Sequence, residues 1–220
     1  QGARWAAPED RFRILMSFQD PRFQLGHASF SPFAPGSEVE DELLQDRVIM
    51  VGDLDNAAAE LLIANLLLLE RRNPREEVSL YINSRGGPID AALAMYDTIN
   101  LVSCPVATVC IGSARGGAAL LVAAGAAGRR AALPNSRFML RAPRGDFQGT
   151  AAEAEGIATE ATRLHQAVCE LFGKHTRLTP AEVDEALSRS VYLGATDALR
   201  AGIVDKVIER PPRAWRGIIK

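Results

Sequence analysis

The sequence concentrates its chemistry-capable backbone in two glycine-rich turns, Ser84-Arg85-Gly86-Gly87 and Gly112-Ser113-Ala114-Arg115-Gly116-Gly117. Each follows an apolar extended run and precedes a helix-like one. A turn of that kind presents unpaired backbone N–H groups that can hold a phosphate or stabilise an oxyanion. Neither fits G-x-G-x-x-G or the phosphate-loop pattern, so nucleotide binding has weak support, and the glycines could equally serve tight turns and close packing. Ser113 is a candidate nucleophile at a strand-to-helix elbow, but G-x-S-x-G is absent, since Gly112 directly precedes it and Arg115 lies two residues beyond. A triad also needs a histidine within reach. His27 lies in an irregular segment, His165 within a long amphipathic stretch and His175 just past its end, where surface or capping roles suit both. These scattered histidines share no ligand spacing, so the expectation is no metal and no cofactor. Cys104, Cys110 and Cys169 are odd in number and show no C-x-x-C, which suits a reducing compartment.

The elements that must position these turns read as alternating α/β. Arg47–Val51 is a short buried strand. Asn56 can cap a helix through Leu69, ended by Asn73-Pro74. Val78–Ile82 is a second strand, followed by the first glycine turn and a helix with Ala91, Ala92, Met95, Tyr96 and Ile99 on its apolar face. Val106–Cys110 is a third strand, followed by the second turn and a tightly packed helix over 118–124. Strand, glycine turn and helix recur about every 30 residues, the rhythm of βαβ units on a buried parallel sheet. Phe138–Leu140 reads as a strand and 150–172 as one long helix. Its apolar side carries Ile157, Ala161, Leu164, Val168 and Leu171. Thr179-Pro180 starts a helix in capping style, Val191–Leu193 is extended, and 195–201 is a last helix before Gly202.

Composition bounds the rest. The 220 residues are 47% hydrophobic and 24% charged, enough for one domain with a real core. A net charge of -2 and a pI near 6.0 argue against a general nucleic-acid or anionic-membrane binder. The longest apolar stretch, 118–124, is far short of the roughly 20 residues that span a bilayer. The basic side is lopsided, with 22 Arg against 3 Lys, and 35 residues are Ala, a bias that GC-rich codon usage explains. The chain opens at Gln1 without a signal-peptide pattern, compatible with a removed targeting segment or a trimmed terminus. Residues 1–42 stand apart as an extension, with Trp5, Phe12, Phe18, Phe23, Phe30 and Phe33 among Pro, Gly and Arg.

Seven motifs then occur in order: Tyr81-Ile82-Asn83-Ser84-x-Gly86-Gly87, Ala94-Met95-Tyr96-Asp97-Thr98-Ile99, Cys110-Ile111-Gly112, Leu133-Pro134-Asn135-Ser136-Arg137, Gln148-Gly149, Lys174-His175-Thr176 and Ala201-Gly202-Ile203-Val204-Asp205. Together they resemble the Clp protease proteolytic subunit, ClpP, over residues from about 43 to 208. The resemblance implies an α/β fold of the ClpP/crotonase-like class, with stacked βαβ units over 43–209, a handle of strand and long helix at about 145–173, and a tail over 210–220.

The resemblance also places the family's active residues. Its nucleophile position holds Gly116, its histidine position Arg141, and its aspartate position Ser190. Glycine has no side chain to attack a carbonyl, arginine stays protonated, and serine cannot supply the charge that supports an imidazolium. Loss of the nucleophile or the base alone costs a comparable serine protease roughly 10⁶ in turnover. Gly87 and Gly117 match the positions whose amides form the family's oxyanion hole.

This pattern resembles ClpR, the non-catalytic paralogue. The implied partners are catalytic ClpP and other ClpP or ClpR subunits in a heteroheptameric ring within a tetradecamer, an AAA+ Clp unfoldase and unfolded polypeptides, with no nucleic acid and no membrane. The implied compartment is the chloroplast stroma, the alternative a cyanobacterial cytoplasm. Two rival readings are an active serine endopeptidase using Ser113 in a shifted register, and a crotonase-type acyl-CoA enzyme using the two glycine amides. Arg85, Arg115, Arg141 and Arg144 fall in or beside the turns. Crowded cations need acceptors, so Arg141 or Arg115 is expected to be paired.

Overall fold

The computed structural model describes residues 38–144 and 150–209. The aromatic-rich extension up to residue 37, the first residues of the expected handle and the C-terminal tail therefore lie outside the described residues. So do two segments used above, His27 and Gln148-Gly149.

A short helix α1 (Glu38–Gln45) leads into β1 (Val48–Val51), and α2 (Asn56–Arg72), β2 (Val78–Ser84), α3 (Ile89–Leu101) and β3 (Val106–Arg115) follow. Helix α4 (Gly117–Ala123), β4 (Arg130–Ala132), β5 (Arg137–Leu140), α5 (Ala151–His175), α6 (Pro180–Arg189), β6 (Val191–Gly194), α7 (Ala195–Ala201) and β7 (Lys206–Val207) complete the order. The main sheet runs β1-β2-β3-β4-β7 and is parallel throughout, as the βαβ rhythm predicts. Strand β3 is long enough to serve two neighbours on one side. Thr108–Cys110 pairs with β4, and Ser113–Arg115 pairs in parallel with β5, on which β6 adds antiparallel.

Local chemistry explains where the elements begin and end. Asp55, not Asn56, is the N-cap of α2: it is extended, and its carboxylate accepts the Ala58 N–H at 2.7 Å. Helices α5 and α6 both start with a reciprocal capping box, Thr150 with Glu153 and Thr179 with Glu182. Pro180 occupies the first turn of α6, where its missing N–H costs nothing. Gly202, with φ of 76°, closes α7.

The core lies between sheet and helices. Val78, Leu80, Ile82 and Cys110 on β2 and β3 are fully buried, as are Met95 on α3 and every residue of α4 from Ala118 to Ala123. Each fully buried Leu, Ile or Met contributes about 1.5–3 kcal/mol of apolar transfer. The all-buried α4 is a helix that is apolar on every side, so its small residues allow close approach to its neighbours. Helix α5 behaves differently along its length. Val168 and Phe172 are buried, whereas Ile157 and Ala161, on the side expected to be apolar, are exposed. Among the described residues, no helix is long and apolar enough to cross a membrane.

The structure departs from the sequence reading at several further points: α2 runs on to Arg72, β2 to Ser84 and α5 to His175. Arg47 is not the first residue of a strand but a turn residue with φ of 60°. Strand β3 does not stop at Cys110 but continues through Arg115, because Gly112 at φ 141° lets it pass Asn83, whose Oδ1 would lie 2.6 Å from any Cβ at that position. Strands β4 and β7, of three and two residues, had no periodic signal to announce them.

Candidate functional site

The extension of β3 moves the elbow. Ser113 is a strand residue paired opposite Arg137, its N–H donates to Asn83 Oδ1 at 3.1 Å, and its Oγ lies 3.4 Å from the Ser84 carbonyl. The strand-to-helix turn is at Gly116, the residue before α4, with φ of 54° and ψ of −121°. L side chains rarely adopt that conformation, and it is held here by the Gly116 N–H donating to the Met139 carbonyl at 2.8 Å. A Cβ on Gly116 would meet nothing within 4 Å among the described residues.

Beside Gly116 is a small pocket. It is lined by Gly86 and Gly87 after β2, Gly116 and Gly117 at the start of α4, and Arg141 to Arg144 after β5, with Ile89 and Val168 completing the wall. The fold thus gathers Gly87, Gly116, Gly117 and Arg141 from three separate turns. Ser190 is not part of the wall. It caps α6 in a left-handed conformation, φ 54°, and its Oγ accepts from Arg144 Nη2 at 3.2 Å.

The first turn is fixed by short polar contacts. Gly86, at φ 94°, receives Ser84 Oγ on its N–H at 3.0 Å, and its carbonyl accepts the Leu54 N–H at 3.0 Å. A Cβ on Gly87 would overlap the Leu54 carbonyl, and one on Gly117 would lie 2.5 Å from Ala92 Cβ, so both positions require glycine for close packing. With Gly86 N–H taken by Ser84 and Gly116 N–H by Met139, the glycine amides of the wall without a partner among the described residues are those of Gly87 and Gly117. The only ionisable groups among the lining residues are Arg141 and Arg144. The arrangement offers hydrogen-bond donors and positive charge. Among the described lining residues there is no serine, cysteine, histidine or carboxylate.

The arginines do not pair as expected. Among the described residues, neither Arg141 nor Arg115 has a hydrogen bond or an ion pair from its guanidinium, though both are half-buried rather than free in solvent. The member paired with a carboxylate is Arg85, whose Nε and Nη2 reach Asp53 Oδ2 at 2.9 and 2.5 Å while its backbone N–H meets Oδ1 at 2.8 Å. Burial pushes the Asp53 carboxyl up, but the Arg85 hydrogen bonds and the charges of Arg85 and Arg115 together hold it below its usual range. Arg85 reaches that carboxylate from the turn after β2, across to the turn after β1, whereas Arg141 follows β5 into the pocket wall.

His175, expected in a surface or capping role, is half-buried with Nε2 2.7 Å from the Tyr96 hydroxyl, which ties α5 to α3. His165 instead meets Asp184 of α6 at 2.7 Å, with Cys169 Sγ 3.6 Å from the same nitrogen. Reading histidines only against each other missed this group, although His165 and Cys169 are four apart on one helical face.

A family model described as Clp protease matches residues 36–211, most of the chain. The chain belongs to the Clp protease family. The mixed α/β fold with its mostly parallel sheet agrees with that membership. The Clp protease family is one of serine peptidases, and its subunits generally form ring complexes with Clp ATPases. The pocket wall includes Gly87, Gly116, Gly117 and Arg141, four of the positions that the sequence resemblance singled out, and lacks Ser190.

Proposed function

We propose that this chain is a proteolytically inactive, ClpR-type subunit of an ATP-dependent Clp protease core. The observation that carries the reading is Gly116. It keeps the backbone of a nucleophile elbow, at φ 54° and ψ −121°, and presents no side chain to the pocket. Arg141 and Ser190 stand where the resemblance puts the base and its supporting carboxylate. Arginine remains protonated at any pH the protein survives, and a serine hydroxyl brings no charge. The amides of Gly87 and Gly117 could then grip a peptide carbonyl without cleaving it. Its role is to complete a heteroheptameric ring with catalytic ClpP subunits within a tetradecamer, to shape the chamber and to alter how an AAA+ unfoldase docks. The exposed Ile157 and Ala161 on the first half of α5 support a handle that meets the opposite ring. The compartment proposed is the chloroplast stroma.

Ser113 gives the shifted-serine alternative no support. It lies three residues before the elbow, outside the pocket wall, with its backbone engaged by Asn83. The test is a fluorophosphonate probe applied to the purified chain and to its native particle. The expected result is no covalent labelling of this chain, with labelling of its companions. Labelling of this chain would overturn the inactive reading, and failure to co-purify with any labelled ClpP subunit would overturn the structural one.

A further inference from the structure

Outside the side chains that line the pocket, α5 meets α6 around residues 165–169, and three side chains of different chemistry converge there. His165 Nε2 lies 2.7 Å from Asp184 Oδ1 and 3.6 Å from Cys169 Sγ. One ligand atom from each of the three lies within 4.8 Å of the others. We infer that His165, Cys169 and Asp184 form a three-ligand site for a zinc-class divalent cation, with a fourth position open to water or to a neighbouring chain.

The geometry is close to what such an ion needs. Metal–ligand distances of about 2.0–2.3 Å at tetrahedral angles put the ligand atoms roughly 3.3–3.8 Å apart. The His165–Cys169 separation is already in that range. The His165–Asp184 separation must open slightly, which rotation of Asp184, 62% exposed, can supply. Helix periodicity fixes the first pair, because residues four apart lie one above the other on the same face. Residue 184 is brought in only by the packing of α6 on α5.

Donor chemistry selects the ion. Magnesium and calcium take all-oxygen shells, whereas a thiolate with an imidazole and a carboxylate suits borderline-soft zinc. On binding, the Cys169 S–H bond breaks, its proton leaves to solvent and the thiolate pair is donated to the metal. His165 must bind through Nε2 with its proton on Nδ1. An ion there would clamp α5 to α6, steadying the base of the proposed handle.

The experiment uses the full chain, reduced and stripped with chelator, titrated with cobalt(II) and then with zinc chloride. The expected result is one equivalent of cobalt giving tetrahedral d–d bands and a thiolate-to-metal charge-transfer band, both lost on adding zinc. Cys104 and Cys110 are buried. Cys169→Ser should therefore abolish the charge-transfer band. Asp184→Asn, at an exposed position, should retain the fold by circular dichroism and weaken zinc binding at least about tenfold, the lower end of what loss of even an outer-shell partner costs. No thiolate band with folded protein, a band that survives Cys169→Ser, or unchanged affinity in Asp184→Asn would overturn the site. Should Cys169→Ser fail to fold, the Asp184→Asn result decides. None of these outcomes bears on whether the peptidase pocket is active.

Discussion

Gly116 holds a strand-to-helix elbow and places no side chain in the pocket. The backbone conformation that an elbow demands costs a side-chain-bearing residue about 1–3 kcal/mol, and glycine adopts it without that cost. None of the described residues lies within 4 Å of where its Cβ would be, so a side chain could be restored. Ser190 has a left-handed backbone that aspartate tolerates, with Arg144 at 3.2 Å to receive the charge. The combined variant Gly116→Ser, Arg141→His, Ser190→Asp should therefore fold. It should react with fluorophosphonate only slowly, because Arg115 and Gly117 still flank the elbow. Labelling at the rate of a catalytic ClpP subunit would show that three side chains were all the site lacked.

At the scale of elements, the helices are joined by a few polar contacts set in apolar packing. His175 on α5 meets Tyr96 on α3, and Arg130 Nη1 donates to the His175 carbonyl at 2.5 Å. Burial, with the charges of Lys174 and Arg130, pushes the His175 imidazole below its ordinary value of 6.5. The sign follows from linkage. As pH falls through 6.5, the unfolded chain takes up the proton first, so the stability contributed by the neutral ring is present above that value and is lost on the way down to the folded pKa. Thermal midpoints at about pH 7.5 and about 5.5 should thus differ more for the wild type than for His175→Gln, whose side chain does not titrate there. Equal differences would mean that the ring is not held neutral by its surroundings.

For the molecule as a whole, Arg47 links regions that no short segment could join. It is 7% exposed. Its guanidinium donates to the carbonyls of Leu69, Asn73, Glu76 and Glu77 at 2.8–3.1 Å, clamping the end of α2 and the following loop beside β1. A cation at a helix C-terminus also opposes the partial negative charge there. Arg47→Met should cost about 3 kcal/mol, since it leaves buried carbonyls without donors. The check is a urea midpoint that falls at unchanged slope, the signature of lost stability rather than of a changed denatured state.

What the sequence determined by itself is whatever short-range physics controls. The parallel βαβ order, the capping of α6 by Thr179 and the buried α4 were all legible. Caps, strand alternation and glycine turns act within a few residues of chain. Tertiary structure alone decided the extension of β3 past Gly112, which keeps Ser113 within the strand, and the pairing of the very short β4 and β7. It also decided that Arg85 rather than Arg141 finds a carboxylate, and that Asp184 reaches His165. Those outcomes depend on which surfaces lie against each other once elements pack, and a side chain's partner across 19 or 32 residues leaves no mark in its own neighbourhood.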